Sequence, residues 1–498
     1  MSATEHHGRV ARQAWLSILF VLAGIALAPI RIRILTHVLT EAQFGIFNLL
    51  TTTAASIGFV ALLGQRQYLI YALPGRNARE QGACFTSSLL VTLAAGVLFA
   101  ALFLAGGLTI PLMARTFPPA LIAVGTVFIV LYALAQFGMG YLLAVGEVVR
   151  YRLQVFLTSN LWLLAVVPFA LLGGLSLDRI VWLWLAGLVV PMLWLAAWTR
   201  RSLGEGLGAP PRGAFIRESV KYGVPLISRN VANSLMRLAD RYVILPLMGA
   251  ASVGVYTVPV TLVGFAADTQ YFLEFFFPHI SVRWRANRAA GRPGCSGEAS
   301  TYFHAALRIC FLTTVPMAIG IVLWGDSLVR VLAGSSYAAA SSIFLILVPQ
   351  VILIPVCHFI HFALMLDGRT YLIGYSILGS AALNVLLNIL LIPRLGLAGA
   401  ALAGTLSYFL LVLISLKVGR LWPHLRGSEL RLPPLLAAGA AMTAAILLCR
   451  WFFRAPTPWE VPAAGVAFLG AGHLLRLWTR DELALAFRRK KKAAEPAP

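Results

Sequence analysis

VPLISRNVANSLMRLADRYVILPLMGAASVG, residues 224–254, decides the fold, because it is apolar enough to cross a membrane and yet carries four charged side chains. When this stretch is placed on a helix at 100° per residue, its polar side chains fall within an arc of about 140°. They are Arg229, Asn230, Asn233, Ser234, Arg237, Asp240 and Arg241. The opposite side of the helix is apolar. The stretch is therefore predicted to be a membrane-spanning helix with one cationic face.

The cationic face predicts a binding site for an anion. An arginine at the centre of a bilayer costs about 3 kcal/mol or more, so these arginines should meet water, a partner charge or a bound anion. Guanidinium groups stay charged and bind phosphate oxygens in pairs. Candidate substrate ligands are thus Arg229, Asn233, Arg237 and Arg241. The alternative is that Asp240 neutralises Arg237, three residues before it, while the outer arginines lie at headgroup level.

The composition places the whole chain in a membrane. Of its 498 residues, 59% are hydrophobic and 12% are charged, and the mean hydropathy is +0.84. These values exclude ordinary soluble folds. Apolar blocks of about 20 residues recur along the chain, which predicts an all-α integral membrane protein with about 14 spans. No Walker A, GxSxG or HExxH motif occurs, and the loops are short, so we expect neither an ATPase nor another enzyme.

The charge pattern predicts the orientation. The net charge of +22 is better explained by Lys and Arg in cytoplasmic loops than by a nucleic-acid partner. Both termini are then cytoplasmic, and the basic run at residues 488–492 is a topology signal or a contact with anionic headgroups. The five cysteines show no paired spacing, so no disulfide framework is predicted.

A weak internal repeat predicts the domain organisation. RIRILTHVLTEAQFGIF (residues 31–47) aligns without gaps with DRYVILPLMGAASVGVY (residues 240–256). The repeat predicts an N-terminal lobe at residues 1–200 and a C-terminal lobe at 201–420, with the site between them. Residues 421–498 add two spans and the basic tail. Arg31 and Arg33 then form either a second cationic rim or ordinary loop positions.

Acidic residues in the membrane are candidates for ion coupling. Asp268 and Glu274 lie in the predicted eighth span, and Asp240 lies in the seventh. Buried carboxylates of this kind couple transport to protons or cations, or pair with arginines. Glu274 could instead reach water at the inner end of its span. His358 and His361 lack a third ligand, so no metal site and no cofactor are predicted.

Three stretches resemble a known family. Residues 33–49 (RILTHVLTEAQFGIFNL), residues 240–256 and residues 383–412 (LNVLLNILLIPRLGLAGAALAGTLSYFLLV) resemble signatures of polysaccharide and O-antigen flippases. These flippases belong to the MATE-like multidrug/oligosaccharidyl-lipid/polysaccharide superfamily. The resemblance implies two six-helix lobes and a cationic central cavity. It also implies a bacterial inner-membrane protein that contacts membrane lipids and polysaccharide polymerase machinery.

The resemblance further implies the substrate. It is an undecaprenyl-diphosphate-linked oligosaccharide, moved from the cytoplasmic to the outer leaflet by alternating access, with a proton or sodium gradient as a candidate driving force. Drug exporters of the superfamily typically carry an acidic residue in the first span, which is missing here and thus favours an anionic substrate. The alternatives are a lipid II flippase, a cation-coupled drug antiporter, and a membrane-embedded polymerase or ligase of the same pathway.

Overall fold

The computed structural model describes residues 3–74, 76–171, 174–267, 277–292, 296–419, 431–453, 459–475 and 477. The described residues form α-helices, two short 3-10 helices (204–208 and 335–343) and no strand. In chain order the helices are α1 (Ala3–Val38), α2 (Glu41–Ala61), α3 (Gln65–Ala72), α4 (Ala78–Thr109), α5 (Pro111–Thr116), α6 (Pro119–Ala144), α7 (Val148–Leu171), α8 (Leu177–Leu203), α9 (Gly213–Ala267), α10 (Phe277–Ala289), α11 (Gly297–Leu332), α12 (Phe344–Leu347), α13 (Pro349–Leu366), α14 (Thr370–Leu395), α15 (Leu397–Gly419), α16 (Leu432–Phe453) and α17 (Glu460–Leu474). The all-α prediction is confirmed.

The number of continuous apolar helices is lower than the predicted number of spans for two local reasons. Within the described residues, 12 helices are long and apolar enough to cross a membrane, against about 14 predicted. The predicted seventh and eighth spans are two helices that meet at a kink within the apolar stretch Leu226–Ala267 of α9, where the backbone of Gly249 leaves the helical conformation (φ 83°, ψ 171°), so the boundary predicted between them is present. The predicted last span corresponds to α17, which has only 15 residues.

The chain forms two compact units. One contains residues 1–262, 326–346 and 374–407, and the other contains residues 263–325, 347–373 and 408–498. The first unit holds the cationic stretch, the first half of the internal repeat and its partner in α9. The two-lobe division of the sequence analysis follows the order of the spans and stays a prediction.

In the first unit, α2 begins with a sequence signal that the structure uses. Thr40 Oγ1 accepts a hydrogen bond from the Gln43 amide, and Gln43 Oε1 accepts one from the Thr40 amide. This reciprocal cap satisfies two amides that the first turn leaves without partners. α2 ends at Ala61, where Leu63 (φ 45°) and Gly64 (φ 75°) turn the chain before α3. Glycine adopts this left-handed conformation without steric cost.

The two halves of the internal repeat contact each other through their glycines. A Cβ on Gly45 would collide with the Ala250 carbonyl, and a Cβ on Gly254 would collide with the Glu41 carbonyl. α2 and α9 therefore approach backbone to backbone at the position where the repeat aligns these two glycines. The hydrogen bond between Thr53 Oγ1 and the Tyr242 hydroxyl (2.9 Å) adds to the same packing. The part of the cationic stretch from residue 240 to residue 254 is thus held tightly by α2.

In the second unit, the predicted extra spans pack on α11. Apolar side chains of α16 and α17, including Met442 and Phe468, bury a core against α11. Glu460 is fully buried and accepts hydrogen bonds from Trp324 Nε1 (2.7 Å) and Arg450 Nε (3.2 Å). A buried carboxylate needs such partners to offset its lost hydration. The Arg450–Glu460 ion pair therefore joins α16 to α17, and the hydrogen bond from Trp324 joins this hairpin to α11.

Candidate functional site

The single carboxylate of the cationic stretch is used by Arg241. Asp240 Oδ1 lies 3.5 Å from a guanidinium nitrogen of Arg241 and accepts a hydrogen bond from the Arg241 amide at 2.8 Å. Arg241 also donates to the carbonyl of Arg237. Both side chains of the pair are buried, at 8% and 7% exposure for Asp240 and Arg241. Asp240 therefore compensates Arg241 and leaves Arg237 with its full charge, contrary to the pairing considered from sequence.

Arg229 and Arg237 lie on the exposed part of the same face. Both are exposed, and within the described ranges neither side chain forms an ion pair. Asn233, between them, is half-buried. Val231 and Leu235 are exposed on the other side of the helix, at 37% and 40%, where apolar side chains suit lipid. Exposed arginines in a spanning helix are costly against lipid, so we expect the arginine side of this part of α9 to face water or lipid headgroups.

Arg31 and Arg33 have different surroundings at the end of α1. Arg33 donates a hydrogen bond to the carbonyl of Val331 at 2.5 Å, and Thr36 Oγ1 donates to the carbonyl of Leu332 at 3.1 Å. These are the last carbonyls of α11, which have no partner within their own helix. Arg33 thus caps α11, where a cation also complements the helix dipole. Arg31 is half-buried and interacts with another group of the protein.

The structure adds Arg66, which the sequence analysis did not single out. Arg66 is half-buried on α3 and donates to Gln136 Oε1 and to the Tyr151 hydroxyl, each at 2.9 Å. Its guanidinium also lies 5.4 Å from the centre of the Tyr151 ring. Both hydrogen-bond partners are neutral, so they position the guanidinium and leave its charge uncompensated. The only local feature of the sequence that could have identified Arg66 as a site residue is its position just after the glycine turn at residue 64.

Tyr132 connects Arg66 with the cationic face of α9. This half-buried tyrosine lies one helical turn before Gln136 on α6 and within electrostatic range of both Arg66 and Arg237. Two uncompensated guanidinium groups from α3 and α9 therefore act on the same tyrosine. An arrangement of this kind attracts an anion and offers it several N–H donors.

The remaining predicted polar positions divide into two groups. Asp268 and Glu274 lie outside the described residues, so their role in ion coupling stays a prediction. The polar row on α14 is buried and comprises Ser376, Ser380, Asn384 and Asn388. Asn388 Nδ2 donates to Asn384 Oδ1 at 3.0 Å. The burial of these four side chains favours helix packing over substrate contact.

Comparison with known proteins supports this fold. No family model matches the chain. The probable low-salt glycan biosynthesis flippase Agl15 of Haloferax volcanii is 24% identical over 240 residues. The match covers 47% of this chain and 48% of that protein, so the chain spans about half the length of the curated relative that it matches.

Solved structures match over nearly the whole chain. The lipid II flippase MurJ in its inward closed conformation has a TM-score of 0.72 at 12% identity, covering 94% of this chain and 99% of MurJ. An inward-facing multidrug resistance MATE family transporter of the MOP superfamily has a TM-score of 0.56 at 17% identity, covering 84% and 95%. These proteins are named as flippases and transporters, which supports the prediction that the chain is not an enzyme. The chain is a multi-pass membrane protein with the fold shared by MurJ and the MATE transporters, as its sequence resemblance predicts.

Proposed function

We propose that this protein is a flippase for polyprenyl-diphosphate-linked glycans, with undecaprenyl as the lipid. The observation that carries the proposal is the uncompensated charge of Arg237. Its neighbour Arg241 takes the only carboxylate of the stretch, while Arg237 stays exposed and lies within electrostatic range of Tyr132, one helical turn from the Gln136 side chain that binds Arg66. A diphosphate carries the opposite charge and the oxygens that guanidinium groups bind in pairs.

The mechanism assigns each part of the substrate to a part of the site. The diphosphate binds Arg237 and Arg66, with Arg229 nearer the cytoplasmic end of the helix as the first contact. The sugars occupy the hydrated side of α9, and the polyprenyl chain stays among lipids. Alternating access then carries the headgroup from the cytoplasmic to the outer leaflet. The name of the Agl15 relative supports a glycan substrate, and the absence of net acidic charge on this face disfavours a cationic drug.

The cellular setting belongs to the same proposal. The positive-inside pattern supports cytoplasmic termini in a bacterial inner membrane. A proton or sodium gradient remains the proposed driving force, and polysaccharide polymerase machinery remains a proposed partner.

Reconstitution tests this function directly. The full-length protein is placed in proteoliposomes with a fluorescent undecaprenyl-diphosphate-linked glycan, with and without a pH or sodium gradient. We expect protein-dependent translocation that falls at least about a hundredfold in Arg237→Ala, because the diphosphate loses a charge-assisted contact in the membrane interior. Arg330→Ala is the matched control, since Arg330 is exposed and paired with Asp326 on the surface of α11.

Three outcomes separate the alternatives. Movement of the glycan probe that depends on Arg237 supports the proposal. Movement of lipid II alone favours the function that MurJ is named for. Gradient-driven efflux of a cationic dye, without lipid movement, contradicts the proposal and favours a drug antiporter.

A further inference from the structure

One face of α6 carries a row of side chains that ends at the arginines. Phe128, Tyr132 and Gln136 follow one another at intervals of four residues, so they lie on the same side of the helix. The Phe128 and Tyr132 rings stack with centroids 5.4 Å apart and planes inclined by 20°. Gln136 continues the row and accepts the hydrogen bond from Arg66. The row thus changes along its length from aromatic to polar.

The two ends of the row have different surroundings. At the aromatic end, Phe128 is buried at 4% exposure and stacks on Trp184 of α8, with centroids 3.6 Å apart. At the polar end, Gln136 and the Tyr151 hydroxyl both hold Arg66. Tyr132 lies where the aromatic stack meets the cationic groups, and it is half-buried. A ring face and hydrogen-bonding groups are therefore offered together beside the arginines.

The exposed part of this row faces water. Tyr132, Gln136, Tyr151 and Arg66 are each half-buried rather than fully packed. A hydrogen-bonded set of a guanidinium, an amide and a phenol, with a second phenol beside it, is costly against lipid. Their accessible surface is consequently directed to the hydrated interior, where a polar ligand can reach them.

This combination suits a sugar ring. A sugar has hydroxyl groups on its edge and C–H groups on its faces. Aromatic rings pack against such faces with their negative π surface, and amide and phenol groups both donate and accept hydrogen bonds to hydroxyls. Binding sites for small ligands typically combine aromatic walls with a few placed polar groups of this kind.

We propose that Tyr132, Gln136 and Tyr151 form the subsite for the sugar that is attached directly to the diphosphate. The proposal rests on the proposed function, because it takes Arg66 and Arg237 as the diphosphate ligands. The first sugar is covalently bound to the diphosphate, so it must lie next to those arginines, and Tyr132 lies one helical turn from Gln136, which binds Arg66. This subsite selects for the glycan, whereas the arginines select for the charge.

Binding measurements with two probes test the subsite. The purified full-length protein is titrated with undecaprenyl diphosphate, which has no sugar, and with the same lipid carrying one N-acetylhexosamine. In Tyr132→Leu we expect affinity for the sugar-linked probe to fall about tenfold, with affinity for the sugar-free probe unchanged. Tyr132→Phe keeps the ring and loses the hydroxyl, so it should lose about threefold. Tyr375→Leu is the matched control, because Tyr375 is 71% exposed on α14.

The outcomes distinguish this proposal from the proposed function. A selective loss for the sugar-linked probe in folded Tyr132→Leu supports the subsite. Equal loss for both probes, or no loss for either, overturns it while the wild-type protein still binds the lipid diphosphate. A wild-type protein that binds neither probe overturns the proposed function and the subsite with it. If Tyr132→Leu does not fold, the Tyr132→Phe comparison decides by the same criterion.

Discussion

Arg237 and Arg241 lie one turn apart on α9, and the structure gives them opposite surroundings. Arg241 is buried, pairs with Asp240 and donates to the backbone of its own helix. Arg237 is exposed and has no carboxylate among the residues that the structure describes. Residues four apart on a helix share a face, so the face alone does not determine which arginine is available to a ligand. The position of the Asp240 carboxylate determines it, because this group pairs with Arg241.

The difference extends to the two parts of the helix. Residues 240–254 pack against α2 through Gly45, Gly254 and the hydrogen bond between Thr53 and Tyr242. The part that carries Arg229 and Arg237 has both a lipid-facing and a water-facing side. We interpret residues 240–254 as a packed support and the part that carries Arg229 and Arg237 as the binding surface. Substitutions on the two parts should therefore separate loss of folding from loss of transport.

The largest effect is expected from Asp240→Ala. It leaves Arg241 buried without its partner, and breaking a buried ion pair costs about 3–5 kcal/mol of folding free energy. We expect a marked loss of folded protein, measured as yield of monodisperse protein and as thermal unfolding in detergent. Asp326→Ala is the matched control, because the exposed Asp326–Arg330 pair should contribute less than about 1 kcal/mol.

A double substitution checks the reason for that loss. Asp240→Leu combined with Arg241→Met removes both charges and keeps apolar volume, so it should recover most of the folded protein. If Asp240→Ala folds normally and loses transport alone, Asp240 acts in ion coupling and the packed-support interpretation is wrong.

The second effect concerns the crossing of α2 and α9. Gly254→Ala places a Cβ against the Glu41 carbonyl, so the two backbones must separate. We expect a loss of about 1–3 kcal/mol in folding free energy, which is typical of overpacking, seen as a lower midpoint of thermal unfolding. Gly379→Ala is the control, because a Cβ there meets nothing within 4 Å. Equal midpoints for both variants would show that the glycine contact does not support α9.

The sequence predicts which residues share a helix face or cap a helix better than it predicts which side chains pair with each other. The helical period of residues 224–254 is sufficient to collect the arginines on one face, and the Thr40–Gln43 spacing is a recognisable cap. Whether Asp240 pairs with Arg237 or Arg241 depends on side-chain conformation and on how α2 covers the helix. The spacing of residues along a helix determines neither the side-chain conformation nor the packing of α2.

Arg66 and Arg33 show the same limit over longer distances. Arg66 follows a predicted span and looks like a loop arginine, but Gln136 is 70 positions away in the sequence. Arg33 looks like a rim residue, but it caps a helix end 298 positions away. Both assignments depend on which helices become neighbours, and one sequence contains few signals of that. The boundary between the predicted seventh and eighth spans, in contrast, has a local signal, because the backbone leaves the helical conformation at a glycine, Gly249.

The smallest effect is expected from Arg237→Lys, and this variant tests most directly whether Arg237 and Arg241 have different roles. Lysine keeps the positive charge but loses the planar pair of donors that fits two phosphate oxygens. We expect transport of the glycan-linked lipid to fall about tenfold, between the wild-type protein and Arg237→Ala, with unchanged thermal unfolding. Arg241→Lys serves as the comparison on the packed part, where lysine keeps the charge beside Asp240 and should alter the unfolding midpoint more than the transport rate of folded protein. If instead Arg237→Lys moves the unfolding midpoint and Arg241→Lys reduces transport, the two arginines have exchanged roles and the diphosphate contact belongs to Arg241.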